Sequence, residues 1–138
     1  MIKNFSFFLT SRHNKRGQLV LIGGAEDRTG KKVVLGELVK RTRPSYLIII
    51  PSASSYSRSL GEDYYLAFRD LGVEKIRIFD FHSSDEVEKN DVTNEFLKAD
   101  LVFFTGGDQV RLFNIIGNTN VHRIIKNRYY NDALNVAG

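Results

Sequence analysis

Short apolar runs, each ended by glycine, proline or small polar residues, alternate along this chain with stretches of helical spacing. Residues 18–22 (QLVLI), 46–50 (YLIII), 75–79 (KIRIF), 101–104 (LVFF) and 134–136 read as strands. Apolar runs this brief, bounded by turn residues, are strands rather than helices. The second run is apolar throughout, as expected of a central parallel strand covered on both faces. Between the runs the spacing predicts helices over 31–42, 59–71, 93–98 and 120–130, and one that opens at Asp108. In 31–42, Val34, Leu35, Leu38 and Val39 share one face, and Arg43-Pro44-Ser45 breaks the helix. In 59–71, Tyr64, Tyr65, Phe68 and Leu71 keep helical spacing until Gly72 stops it. Asp108 can cap the helix after the fourth strand, with Val110, Leu112, Phe113 and Ile116 as its buried side. Residues 82–92 are polar and acidic and read as a loop with a helical turn.

Strand and helix alternating in this way predict an α/β fold, a parallel sheet with helices on both faces, because right-handed crossovers place them there. With 138 residues the chain makes one domain rather than two. It holds no internal repeat, low-complexity tract or dividing linker.

Composition narrows the function classes. An apolar fraction of 42% is ordinary for a globular domain. No apolar run approaches the roughly 20 residues of a membrane span. The apolar cluster of Phe5, Phe7, Phe8 and Leu9 lacks the long core and cleavage site of a signal peptide. Cysteine is absent, which removes disulfides, thiolate catalysis and cysteine metal sites. The net charge of +4 accompanies a sequence pI of about 9.4. The densest basic run is RHNKR at 12–16, and no nucleic-acid module accompanies it, so nucleic-acid binding is not expected. A basic surface also suits an acidic substrate.

Several stretches carry candidate chemistry. The segment 23–32 (GGAEDRTGKK) resembles a phosphate loop only in part. That pattern needs glycine where Ala25 stands and Ser or Thr where Lys32 stands. A plain strand-to-helix turn, with Glu26 and Asp27 near a positive helix end, accounts for it equally. Ser52, Ser54 and Ser55 have no nucleophile signature around them, and their hydroxyls are expected to satisfy loop backbone groups; Tyr56 next door could line a pocket. His13, His82 and His122 are not spaced as a helical metal pair, and neither a metal nor a cofactor is expected. Gly106-Gly107-Asp108-Gln109 is the best candidate site. A glycine N–H there could donate to an oxyanion, and the Gln109 amide could hold a polar substrate group. A strand–helix turn with an N-cap is the plain alternative.

Together, 17–27 (GQLVLIGGAED), 50–54 (IPSAS), Tyr64 and Phe68 before Leu71-Gly72, and 103–112 (FFTGGDQVRL) resemble the cyanophycinase family of serine peptidases. The resemblance implies a three-layer sandwich like that of the class I glutamine amidotransferases, of flavodoxin type, and a Ser–His–acid hydrolase without metal or cofactor. The substrate it implies is an aspartyl peptide, either cyanophycin or a shorter one. Carried onto this chain, Gly107 would offer its N–H to the oxyanion. Gly106, Asp108 and Gln109 would face the substrate. The family's nucleophile sits on a turn two positions past Gly138, and its histidine and acid come later still. The chain is therefore expected to be the N-terminal part of such a domain, truncated just before the nucleophile and inactive as written. A sheet ended there exposes apolar surface and an unpaired edge. A homo-oligomer and a cytoplasmic location are expected. The rival readings are a non-catalytic binding or assembly module, and a small phosphate-binding domain using Gly23 and Gly24.

Overall fold

The computed structural model describes residues 15–23 and 27–138. The Phe5–Leu9 cluster, most of the basic run, His13, and Gly24 to Glu26 lie outside the described residues. The strands are β1 (Leu19–Val20), β2 (Tyr46–Ile50), β3 (Lys75–Ile78), β4 (Leu101–Phe104) and β5 (Asn135–Ala137). The helices are α1 (Val33–Thr42), α2 (Ser57–Asp70), α3 (Ser84–Val87), α4 (Asn90–Phe96), α5 (Gln109–Ile116) and α6 (Asn120–Asn131). The strands form one sheet in the order β1-β5-β4-β2-β3, and every pairing is parallel.

Side chains on a strand alternate between faces, and β2 shows why its sequence is apolar at every position. Tyr46, Ile48 and Ile50 join a core with Val102, Phe96, Ile116, Val121 and Ile125, on the side covered by α3 to α6. Leu47 and Ile49 join Leu101, Phe103, Leu35, Leu38, Tyr64 and Phe68, on the side covered by α1 and α2. All five β2 residues are buried. The expected layered fold is therefore the one observed.

Several boundaries differ from the sequence reading, each for a local reason. α1 begins at Val33 because Lys32 takes a left-handed backbone, φ 51°. In that helix Leu35 and Leu38 are buried, but Val34 is exposed. The acidic loop contains a full turn, α3, closed by reciprocal bonds between Ser83 and Glu86, the capping-box pattern. α4 starts three residues early, so that Val92 joins Phe96 in packing on the core. In α5 the buried side is Leu112, Ile115 and Ile116. Val110 and Phe113 are 62% and 57% exposed, so half of the expected apolar face is turned outward. The correction has a simple origin: α5 lies against α3 and the sheet through the 112/115/116 stripe, and a helix presents only one such stripe to a flat layer.

Candidate functional site

The strand order places a switch point between β2 and β4. From β2 the chain crosses to β3 on one side, and later returns to β4 on the other. In open α/β sheets, ligands bind in the crevice beyond the carboxyl ends of the strands at such a point. Two loops meet there, 51–56 after β2 and 105–108 after β4.

The loops are stitched together through the backbone. Thr105 N–H donates to Ile50 O at 3.2 Å, extending the ladder by one bond, and Asp108 N–H donates to Ala53 O at 2.8 Å. Between them Gly107 adopts φ +149°, and a Cβ there would run into the Ala53 carbonyl and sit 2.8 Å from the Ser54 nitrogen. Only glycine fits both the backbone conformation and the closeness of the two loops. Among the described residues, no hydrogen bond takes up the N–H of Gly106 or Gly107, and both glycines are exposed. Two donors are thus held open on a fixed corner.

Asp108 sets the direction of the next helix. Its carboxylate accepts from Val110 N–H at 2.8 Å and Arg111 N–H at 3.3 Å. Asp108→Ala removes this N-cap and should cost about 1 kcal/mol in chemical denaturation; an unchanged midpoint would show the cap to be idle. Gln109 is the first residue of α5, exposed, and its side-chain amide is free of hydrogen bonds among the described residues. The sequence-predicted quartet therefore forms one contiguous corner.

The other candidates resolve into structural roles. Ser52 Oγ accepts the buried Phe81 N–H at 2.8 Å, and Ser54 Oγ accepts Tyr56 N–H at 2.9 Å. Both serve loop backbone, as expected. Tyr56 is exposed and lines a shallow depression of about 460 Å³ with Ser57, Arg58, Glu62, Asp80 and His82. Ser57 Oγ donates to Asp80 Oδ2 at 2.8 Å, and His82 Nε2 lies 3.5 Å from the same oxygen. Sequence reasoning missed this cluster, because Ser57 and Asp80 are far apart in the chain and neither sits in a recognisable pattern. His122 Nδ1 accepts the Asn118 N–H at 3.0 Å and closes the start of α6.

In the Gly23–Lys32 segment, the Asp27 carboxylate accepts the N–H groups of Thr29, Gly30 and Lys32 at 2.9, 2.7 and 3.2 Å. These are the amides a phosphate would need, and a carboxylate already fills that role. The Gly30 N–H, then those of Lys32 and Thr29, hold the Asp27 carboxyl below its ordinary value. A depressed carboxyl stabilises the fold above its unfolded value, and that contribution is lost as pH falls through the folded one. Wild type should therefore lose this increment of stability below about pH 4, and Asp27→Asn should flatten that part of the acid-unfolding curve. A superimposable pair of curves would contradict it.

Among the described residues, the most perturbed titrating pair lies elsewhere. Burial, then the bond to Glu95, raises the Tyr46 hydroxyl, and the same bond lowers Glu95. Tyr46 opens β2 and Glu95 lies near the end of α4, with Arg77 3.7 Å from Glu95, away from the switch point. They act as a structural tie.

The architecture so far defines a three-layer α/β protein with a donor-bearing glycine corner at its switch point. Residues 19–138 match the family model of peptidase family S51, so the chain belongs to that family. It is similar to a cyanophycinase of Trichormus variabilis, 35% identical over 122 residues that cover 87% of this chain and 41% of that protein. A cyanophycinase of Geminocystis herdmanii is 30% identical over 115 residues, covering 82% of this chain and 42% of that protein. Among solved structures, a peptidase from an acI-B1 actinobacterium superposes with a TM-score of 0.71 at 18% identity. That superposition covers 89% of this chain and 53% of the peptidase chain, and supports the fold. The chain thus spans less than half the length of the curated relatives it matches.

Proposed function

We propose that this chain carries the oxyanion-holding and substrate-positioning half of a serine peptidase that hydrolyses an aspartyl peptide, cyanophycin or a shorter one. The observation that carries the reading is the glycine corner. Gly107 is locked against Ala53 with its N–H and that of Gly106 open, beside the exposed Gln109. Donors fixed where negative charge develops stabilise a tetrahedral acyl intermediate without reorganising. In this role Gly107 N–H meets the oxyanion, and Gly106 and Gln109 hold the peptide near the scissile bond. Asp108 keeps the corner aimed through its cap.

Strand register supports the placement of the missing nucleophile. Phe103 pairs with Ala137, so Gly138 lies beside Phe104, and a Cβ on Gly138 would sit 2.6 Å from Phe104 O. A strand continuing in this register brings the second residue after Gly138 level with Gly106. That is where the resemblance puts the serine. The serine would attack the carbonyl as a histidine takes its proton, the histidine would return that proton to the amine that departs as the C–N bond breaks, and water would then hydrolyse the acyl-enzyme to free the acid and the serine. By this reading the chain alone is inactive. The reading keeps the expected cytoplasmic location and homo-oligomeric assembly.

The test is an assay of β-aspartyl-arginine release from cyanophycin. This chain alone should give none. Joined at Gly138 to the portion of the Trichormus variabilis cyanophycinase that lies beyond the match, it should hydrolyse the polymer. A soluble, folded fusion without hydrolysis of cyanophycin or any short aspartyl peptide would leave the non-catalytic module as the better reading.

A further inference from the structure

The glycine corner stands on the 51–56 loop, so whatever fixes that loop fixes the corner. Ser52 is 1% exposed, and the bond from the Phe81 N–H to its Oγ, 2.8 Å, is buried. The sheet explains why that bond exists. Ile49 pairs with Ile78 in the parallel register of β2 and β3, and the Phe79 N–H donates to Ile49 O at 2.9 Å. Bonds in a parallel ladder are evenly spaced, so the next would join the Phe81 N–H to Pro51 O. Pro51 O instead accepts the Ser54 N–H at 3.0 Å and closes a turn over Ser52 and Ala53. The Ser52 hydroxyl thus takes the ladder place that this carbonyl has left.

That swap of acceptors decides where the Ala53 carbonyl points. With the turn closed, Ala53 O lies outside it and accepts the Asp108 N–H at 2.8 Å. Gly107 packs against the same carbonyl and against the Ser54 nitrogen. At the other end the support is firm. Phe81 is buried in the core beside Val87, with its ring centre 5.7 Å from that of Phe79 and 6.4 Å from that of Phe96. A line of contacts therefore runs from the core through Phe81 and Ser52 to the turn, and from the turn to Gly107. The neighbouring serines stand outside it: Ser54 Oγ accepts the Tyr56 N–H, and Ser55 is exposed.

We propose that Ser52 is a positioning residue for the oxyanion corner: its buried hydroxyl takes the Phe81 N–H and so leaves Pro51 O to close the turn on which Gly107 is seated. The inference rests on the peptidase reading, and it adds a residue that acts on the reaction only through the loop. Without the Ser52 oxygen, the buried Phe81 N–H has lost its acceptor, and an unmet buried donor is costly. Pro51 O is the acceptor in register. Taking it opens the turn, draws Ala53 O away from Asp108 and releases Gly107.

The test compares Ser52→Ala with Val73→Ala. Val73 is 2% exposed, lies two residues before β3 and belongs to the core under α1 and α2, so its truncation destabilises the fold at the far end of the strands. Both variants are read at a temperature where each is folded. In the chain as written, Ser52→Ala should move the Asp108 amide proton upfield, as its bond to Ala53 O lengthens, and should shift the Gly107 amide as well. Val73→Ala should leave both in place. In the Gly138 fusion, Ser52→Ala should lower kcat roughly ten- to hundredfold, with KM changed by less than about twofold, whereas Val73→Ala should keep kcat. Should Ser52→Ala fail to fold, Ser52→Cys, whose sulfur is a weaker acceptor, should move the same resonances and kcat in the same direction. Unmoved Asp108 and Gly107 resonances would overturn the inference. So would an active fusion whose kcat is indifferent to Ser52, or one that loses as much to Val73→Ala. Resonances that move in a fusion hydrolysing no aspartyl peptide would uphold the link from Ser52 to the corner and reject the peptidase reading alone.

Discussion

Phe103→Ala should destabilise the protein by roughly 3–5 kcal/mol. Phe103 sits on β4 with 1% of its surface exposed. Its ring lies 4.9 Å from that of Tyr64 and 5.1 Å, edge-on, from that of Phe68. This three-ring contact ties the strand that leads into the glycine corner to the α1–α2 layer. Truncation removes buried apolar area and leaves a cavity between a central strand and a helix, neither of which can collapse freely. Folded domains are stable by only about 5–15 kcal/mol, so this one side chain governs a large share of the total. The thermal midpoint should fall by roughly 10–25 °C. Phe103→Leu should recover most of it, because volume is largely kept. A loss below about 1 kcal/mol would mean that the aromatic cluster does not anchor β4.

Gly107→Ala carries the second large effect, on two readouts. A Cβ there meets the Ala53 carbonyl at a backbone conformation, φ +149°, that L residues rarely adopt. Strain of roughly 1–3 kcal/mol follows, released only if the 105–108 loop lifts off the 51–56 loop. In the chain joined to the rest of a peptidase domain, lifting the loop misplaces the donor. The loss of a single oxyanion donor costs about 10²–10³ in kcat. KM should change far less, since the donor acts on the transition state. Gly106→Ala is the control: nothing lies within 4 Å of a Cβ on Gly106, so stability should hold. Equal effects at the two glycines would remove the distinction between a seated and an open residue.

The layered fold was legible because its signals are local. Each β2 residue from Tyr46 to Ile50 is apolar, and burial on both faces permits nothing else at the centre of a parallel sheet. The Gly106–Gln109 corner was legible for the same reason: a strand, two glycines and a capping aspartate follow one another without interruption. Features that depend on which layer a helix meets were not. The pattern in α5 offers Val110, Leu112, Phe113, Ile115 and Ile116, and only the packing of α5 on α3 and the sheet selects three of them. Start points failed where a backbone departs from the helix for a tertiary reason, as at Lys32, turned left-handed beside the Asp27 loop. The Ser83–Glu86 capping box was present in the sequence and marks α3 plainly. The seat of Gly107 on Ala53 could not be read at all, because it joins loops far apart in the chain.

The amide signals of Gly106 and Gly107 offer the most direct measurement. A peptidyl boronate with aspartate next to boron forms a tetrahedral adduct with a serine nucleophile and places an oxyanion in the site. In the chain joined at Gly138 to the rest of a peptidase domain, its addition should move the Gly107 amide proton strongly downfield in a two-dimensional NMR spectrum. The Thr29 and Gly30 amides, already bound to Asp27, should stay in place. An adduct that forms while the Gly107 resonance remains where it was would contradict the assignment of this corner to the oxyanion.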